Sequence, residues 1–281
     1  EHMVVRLGTH GPNEEAPDHS ALLALGNDAL PTLRDLFPGR LWFNRWEPHT
    51  RPPRGRSVSA LCRTLVAFGE PAVPYVADLL KDEDPEARYY AALVAAELPH
   101  PLLVEPLAAT LFDDDQGVSR GALYAFEAFQ DQDGVEELKQ SLRALAIAAD
   151  ADQRSRLLAM RALAVLRDEE CIQTLIPALY ERSTLGEAAW RLLRMLTGQN
   201  FSSDDDAWRA WSADNGSRPR IEWLIESLDH DDPECRQIGS RDLIRISGED
   251  FGFDVDLPPE ERRAIVERYR QWWAQRSARG A

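Results

Sequence analysis

A chain of 281 residues, 44% of them hydrophobic and eight of them tryptophan, is long enough for two globular domains or one elongated array and too apolar for wholesale disorder. Its net charge of −16, from 48 acids against 32 bases, disfavours broad binding to nucleic acid or to an anionic membrane surface, both of which are polyanions. The absence of an apolar run of about 18 residues excludes a spanning helix, and no signal peptide is visible.

Glu1-His2-Met3 reads as a cloning scar, so a further domain beyond this sequence is expected. Residues 4–17 mix Gly, Pro, His and Glu without periodicity, and 1–17 is expected to be a tag remnant and loose arm. Helical signal begins near Ser20 with Leu22, Leu23 and Leu25 and resumes at Asp28, with Pro31 in a first turn where its missing N–H costs least. Residues 38–56, PGRLWFNRWEPHTRPPRGR, break the pattern, so 18–56 reads as N-terminal helices with an Arg/Trp-rich loop. From Ser57 to the end the chain reads as a repeat array with a C-terminal capping helix.

Within 57–281 the signal is a recurring corner. Asp82-Glu83-Asp84 returns as Asp113-Asp114-Asp115, a period of about 31 residues, which lies in the range of helical solenoids. Arg88 then falls beside Arg120, and Ala91-Ala92 on Ala122-Leu123. Asp84-Pro85-Glu86 supplies an N-cap, a proline at the first helical position and an acidic first turn. Gly134 to Ala149 and Asp152 to Leu166 form a further antiparallel pair, followed by Glu169 to Arg182, with a kink expected at Pro177, and Leu185 to Leu196. Asp231-Asp232-Pro233-Glu234-Cys235-Arg236 repeats the early corner. Leu196-Thr197-Gly198-Gln199-Asn200-Phe201 is echoed by Ile246-Ser247-Gly248-Glu249-Asp250-Phe251, each with a glycine placed as a left-handed C-cap and each followed by a Trp-bearing helix, Trp208 and Trp211 in one case and Trp272 and Trp273 in the other. Successive helical residues point about 100° apart, so Trp272 and Trp273 cannot share one face. Pro258-Pro259 opens the last helix, which ends in Arg276 and Arg279. Cys62, Cys171 and Cys235 are odd in number, lack any CxxC pairing and sit in apolar helical patterns, as expected of reduced core thiols in a cytoplasmic protein.

Proline in the first helix, Asp-x-Asp-Pro-Glu-x-Arg at the corner and Ala-x-x-Ala-Leu on the second helix together resemble HEAT-type repeats, more narrowly the bacterial HEAT-like group of the phycobilisome-lyase type, over roughly residues 57–275. The resemblance implies an all-α fold, a right-handed α-solenoid or superhelix of HEAT-like antiparallel helix pairs. Members of that group are mostly interaction scaffolds, with enzymes and DNA-repair proteins among them, and some carry a further N-terminal domain.

Two sets of residues stand out. Arg88, Arg120 and Arg236 follow acidic corners, and their periodic spacing favours a structural Asp–Arg ladder between repeats over a ligand-binding row. Residues 40–56 hold Arg40, Arg45, Arg51, Arg54 and Arg56 against the single acid Glu47, interleaved with Trp42, Phe43, Trp46 and His49. Arginine and tryptophan dominate binding hot spots and suit a phosphate, a nucleotide or an acidic peptide. The other reading is that the tryptophans cover the end of the solenoid while the arginines pair with acidic corners, and both stay open. The partner-binding candidates are Arg40, Trp42, Arg45, Trp46, Arg51, Arg54 and Arg56.

Catalytic chemistry has no visible carrier. No histidine is followed by Glu, the pair that helical-repeat iron hydroxylases use to hold metal, and no HExxH, phosphate loop or GxSxG elbow is present. His230 beside Asp229, Asp231 and Asp232 reads as a solvated turn, and Asp204-Asp205-Asp206 as an acidic helix start rather than a calcium loop. The expectation is a non-enzymatic protein-interaction scaffold without cofactor or metal, whose acidic balance selects a basic or amphipathic partner segment. The alternatives are nucleic-acid or phosphate-ligand binding through 40–56, and a bilin-lyase-like enzyme suggested only by the family resemblance.

Overall fold

The computed structural model describes residues 2–11, 17–181 and 184–280, the side chains at 17, 18, 279 and 280 excepted. The middle of the expected arm, residues 12–16, and the side chain of Arg279 therefore lie outside the described residues. Among the described residues the chain is all-helical, with no strand, and no helix is long and apolar enough to cross a membrane. The helices are α1 (His2–Leu7), α2 (Pro17–Leu25), α3 (Leu30–Asp35), α4 (Ala60–Phe68), α5 (Val73–Leu79), α6 (Pro85–Ala95), α7 (Val104–Leu111), α8 (Gln116–Phe126), α9 (Val135–Ile147), α10 (Gln153–Val165), α11 (Cys171–Ala178), α12 (Thr184–Thr197), α13 (Asp205–Asn215), α14 (Arg220–Ser227), α15 (Pro233–Ser247) and α16 (Pro259–Gly280). They group into two compact units, Glu1–Leu142 and Arg143–Ala281.

In the first unit, α5 with α6 and α7 with α8 form helix pairs, while α4, α6 and α8 lie side by side as one layer and α3 and α5 as the other. Gly121 meets Ala92 across the α6–α8 seam, where a Cβ on the glycine would stand 3.4 Å from that of the alanine, and such small side chains let the backbones approach. The stretch expected to be a loose arm carries α1, whose Val4 and Leu7 stand three apart on one face and are buried against the neighbouring helices. In the second unit, α11 pairs with α12 and α14 with α15, α10 lies against α12, and α16 closes α14. Pro177 falls in the last turn of α11, so the helix stops at Ala178 instead of kinking. All three cysteines are buried thiols. Burial pushes the Cys62 thiol up to about 12, which keeps it neutral.

One local device builds the corners. Asp84, Asp115, Asp204 and Asp232 each cap a helix, accepting from the backbone N–H of Glu86, Gly117, Ala207 and Glu234 at 2.7–2.9 Å. Four residues after each cap, a side chain donates back to the carbonyl two residues before it. Arg88 bonds Asp82 O at 2.7 Å, Ser119 bonds Asp113 O at 3.0 Å, Trp208 Nε1 bonds Ser202 O at 3.0 Å and Arg236 bonds His230 O at 2.8 Å. The arginines also reach onward: Arg88 grips Asp113 of the next corner through two bonds of 2.6 and 3.0 Å, and Arg236 reaches Val255 O at 3.0 Å. Arg88 and Arg236 thus serve the structural ladder. Arg120 does not: the repeat register places Ser119 in the equivalent position, and Arg120 is exposed and paired with no carboxylate among the described residues. Arg156, four after the cap Asp152, makes the same onward link to Glu181 and was not legible as a rung.

The two glycine echoes behave as read, Gly198 with φ 70 and Gly248 with φ 72, both left-handed ends of a helix. Their aromatic partners differ from the reading. Phe201 meets Trp208 edge-on at 4.9 Å, but Phe251 meets Tyr269 at 4.6 Å, so Tyr269 takes the place of Trp208. Trp272 and Trp273 are both half-buried against the apolar cluster around Leu224 and Leu243, their ring centroids 6.3 Å apart.

A buried charge cluster ties α14 to α15. Arg167 and Arg220 both donate to Asp242, and Arg220 also donates to Leu196 O at 2.7 Å. Burial alone would raise the Asp242 pKa; hydrogen bonding and charge from the two arginines outweigh it and hold the carboxyl at about 2, below its ordinary 3.8. A depressed folded pKa contributes stability that is complete above the unfolded value and lost as pH falls through the folded one. The contribution, about 2 kcal/mol, is therefore expected to disappear between pH about 4 and about 2, with the urea midpoint of the parent protein converging on that of Asp242→Asn over this window. Arg88→Ala is expected to cost about 1–3 kcal/mol, because it takes the guanidinium from the Asp82 and Glu83 carbonyls and from the largely buried Asp113 carboxylate. Arg88→Lys should recover only part of this, since an ammonium cannot span both groups; urea denaturation of the three proteins measures it.

Candidate functional site at the arginine and tryptophan loop

The segment between α3 and α4 lies across the first unit, and its only regular element is a 3-10 turn at Gly55–Ser57. At its start, Arg40 N donates to Gly8 O at 2.7 Å and the Arg40 guanidinium to Thr9 O at 3.2 Å. Trp42 Nε1 donates to His10 O at 2.7 Å, its backbone N–H reaches Val58 O at 2.8 Å, and Arg63 covers its ring at 4.6 Å. Arg40 and Trp42 thereby fasten the loop to the end of α1.

Arg45 is the centre of the loop. Its side chain is only 4% exposed. Nε donates to Glu86 Oε1 at 3.0 Å, while the two terminal nitrogens take both oxygens of Asp115 at 3.2 and 2.7 Å. One guanidinium thus bridges the first turns of α6 and α8, the fork geometry that lysine cannot supply. Its flat faces lie 4.4 Å from the Trp46 ring and 5.3 Å from that of Tyr89. Burial would lower the Arg45 pKa, but bonding to Asp115 and Glu86 outweighs it and raises it. Burial would raise the Asp115 pKa, yet the Arg45 bonds and the N–H groups of Val118 and Gly117 hold it below the usual range.

The rest of the loop runs along α6 and α8. Tyr90 OH donates to Phe43 O at 3.2 Å. Arg51 pairs with Glu127 at 2.8 Å and lies 5.3 Å from the Tyr124 ring. Arg56 pairs with Glu97 through its side chain, and its backbone N–H reaches the same carboxylate at 2.7 Å. Gly55 is pressed against α6 so closely that a Cβ there would stand 2.6 Å from Leu93 O. Two of the predicted residues point outward. The Arg54 guanidinium is exposed and has no partner among the described residues, and Trp46 is 73% exposed, propped on Arg45 at the rim of a depression lined by Leu41, Phe43, Glu86 and Tyr90. The loop residues are therefore brought together, but mainly onto the chain's own acids. Those acids, Glu86, Glu97, Asp115 and Glu127, were not among the predicted site residues; Asp115 carried a signal in the acidic corner, and Glu97 and Glu127 carried none.

Elsewhere, Asp232 N donates to His230 Nδ1 at 2.9 Å, so His230 closes its own turn. Burial lowers its pKa against the opposing charges of Asp232 and Asp231. Asp204 caps α13 as expected of an acidic helix start.

The family model described as HEAT repeats matches residues 73–145, which is α5 through most of α9, and the one described as the PBS lyase HEAT-like repeat matches residues 155–181. No curated protein matches the chain in sequence. Similar solved structures include an engineered protein, 18% identical, with TM-score 0.34, covering 88% of this chain and 58% of its own. A second engineered protein is 18% identical with TM-score 0.36, covering 87% of this chain and 95% of its own. A computationally designed armadillo repeat protein for modular peptide recognition is 16% identical with TM-score 0.33, covering 75% of this chain and 96% of its own.

Gly55→Ala is expected to lift the loop from α6 and to lower the unfolding free energy by about 1–3 kcal/mol, because the added methyl meets backbone that cannot move aside. Urea titration followed by tryptophan fluorescence measures it.

Proposed function

We propose that this protein is a non-enzymatic scaffold that binds other proteins, with a contact patch on its first unit where the loop tip meets the acidic starts of α6 and α8. The observation that carries this reading is Trp46: a large aromatic ring 73% exposed to solvent yet held in one place by the stacked Arg45. A pre-positioned tryptophan buries much area at little conformational cost, and such residues dominate binding hot spots. The whole chain's net charge of −16 and the acidic starts of α6 and α8 favour a basic or amphipathic segment as partner. Arg51 and Arg54 are exposed arginines farther along the loop, while Arg40, Trp42, Arg45 and Arg56 hold the loop on the unit. Three buried cysteine thiols suit a reducing, cytoplasmic setting.

The phosphate or nucleic-acid reading of residues 40–56 draws no support from the geometry, since Arg45, Arg51 and Arg56 are each paired with a carboxylate of the chain itself. For the bilin-lyase reading, the PBS lyase match is to one repeat, residues 155–181, and carries no catalytic group with it.

Trp46→Ala should weaken binding to basic amphipathic peptides by about 30-fold, the scale of a hot-spot residue, while leaving stability within about 0.5 kcal/mol because the ring is exposed. Fluorescence anisotropy against matched basic and acidic peptide panels tests this. Unchanged binding in the variant, or preference for the acidic panel, overturns the patch.

A further inference from the structure

Helix α6 is enclosed on four sides, by its pair partner α5, by α4 and α8 in its own layer, and by the loop. Ala87 and every residue from Tyr89 to Ala95 are buried. In a two-layer array the last of those sides would face water, as the exposed Gln116 and Arg120 of α8 do. What fills it is a segment with almost no regular structure, held mainly by side chains: the Arg45 fork, the Tyr90 bond to Phe43 O, and the Arg56 pair with Glu97.

Beneath the loop one polar group is left over. Tyr89, 2% exposed, stands at the α6–α8 seam, where its ring is in contact range of a Cβ at Gly121, and its hydroxyl has no hydrogen-bond partner among the described residues. Buried hydroxyls are almost always satisfied, and leaving one unpaired costs free energy. The loop therefore fits this seam well through Arg45 and imperfectly beside it.

We propose that the α6–α8 seam is a recognition site for a partner-protein segment carrying an arginine next to an aromatic residue, and that the chain's own residues 40–56 are its resident occupant, which such a segment displaces. This rests on the protein-interaction reading above. The chemistry of the site selects the ligand. Glu86 and Asp115 are set apart by the spacing of two helix starts, so that one planar guanidinium satisfies both, with the Tyr89 ring as its floor. A competing segment gains by offering the Tyr89 hydroxyl the side-chain amide or carbonyl that the loop does not bring. The loop then sets a threshold: apparent affinity is the intrinsic affinity multiplied by the fraction of molecules whose seam is open.

A fluorescent synthetic peptide with the sequence of residues 40–56, titrated into the full chain by anisotropy, tests this. Arg45→Ala in the protein loosens the resident loop and should strengthen peptide binding at least about tenfold over the parent. Adding Asp115→Asn, which keeps a competent helix cap, should remove that gain, and a peptide with Lys in place of its Arg45 should bind at least about tenfold more weakly. If Arg45→Ala fails to give a cooperative melt, Arg45→Lys keeps the charge, loses the fork and should shift binding in the same direction. A folded variant that binds the peptide no better than the parent, or a gain that survives Asp115→Asn, overturns the proposal. Partner binding that is still lost in Trp46→Ala would then leave the scaffold reading standing, with the loop a fixed cover.

Discussion

Each helix pair has to turn a corner, and at every corner the backbone leaves carbonyls facing out of one helix and N–H groups facing out of the next. This chain satisfies both kinds of orphan with residues four apart. The aspartate cap takes the N–H groups, and the side chain one turn later returns a donor to the carbonyls behind the cap, as in Asp84 with Arg88 and Asp232 with Arg236. Because donor and acceptor lie within one short stretch, the corner closes without help from distant sequence and can be repeated. The donor can change identity, to serine at Ser119 and to tryptophan at Trp208, while the bond remains.

Arginine adds something that the other donors cannot. Its length lets it close its own corner and grip the next, so local capping and coupling between repeats become one interaction. Arg88 does this with Asp113. At the following corner Ser119 is too short to reach onward, and there a guanidinium arrives from elsewhere: Arg45, from the loop, takes the cap carboxylate of Asp115. The loop thus enters the architecture at the corner whose own donor is short.

What was legible in the sequence follows the same division. The corners were, because cap, proline and donor fall within seven or so residues and carry their meaning in any context. The register was misread by one residue at Arg120, since arginine identity drew the alignment away from the strict period that selects Ser119. Arg156 was passed over because its corner lacks the Asp-Pro-Glu signature, although its cap Asp152 stands the same four residues before it. The loop's contacts were not legible. Arg45 finds Glu86 and Asp115 at separations of 41 and 70 residues, and nothing local marks those acids as its partners. Of the two readings of residues 40–56, pairing with acidic helix starts is present at Arg45 alone; Arg51 and Arg56 take Glu127 and Glu97 at helix ends instead, and neither kind of pairing accounts for Trp46.

That pairing changes what the arginine run means electrostatically. Five arginines against one acid between residues 40 and 56 read as a basic patch in a linear sequence. In the folded unit Arg45, Arg51 and Arg56 are laid on Asp115, Glu86, Glu127 and Glu97, and their charge is spent within the chain. A partner approaching this face meets an aromatic tip, one unpaired guanidinium at Arg54 and a rim of acidic corners. Local composition differs from the charge the surface presents, because a basic segment and the acids of the helices it crosses are each other's nearest counter-charge. The same attraction draws this chain's own loop onto those acids.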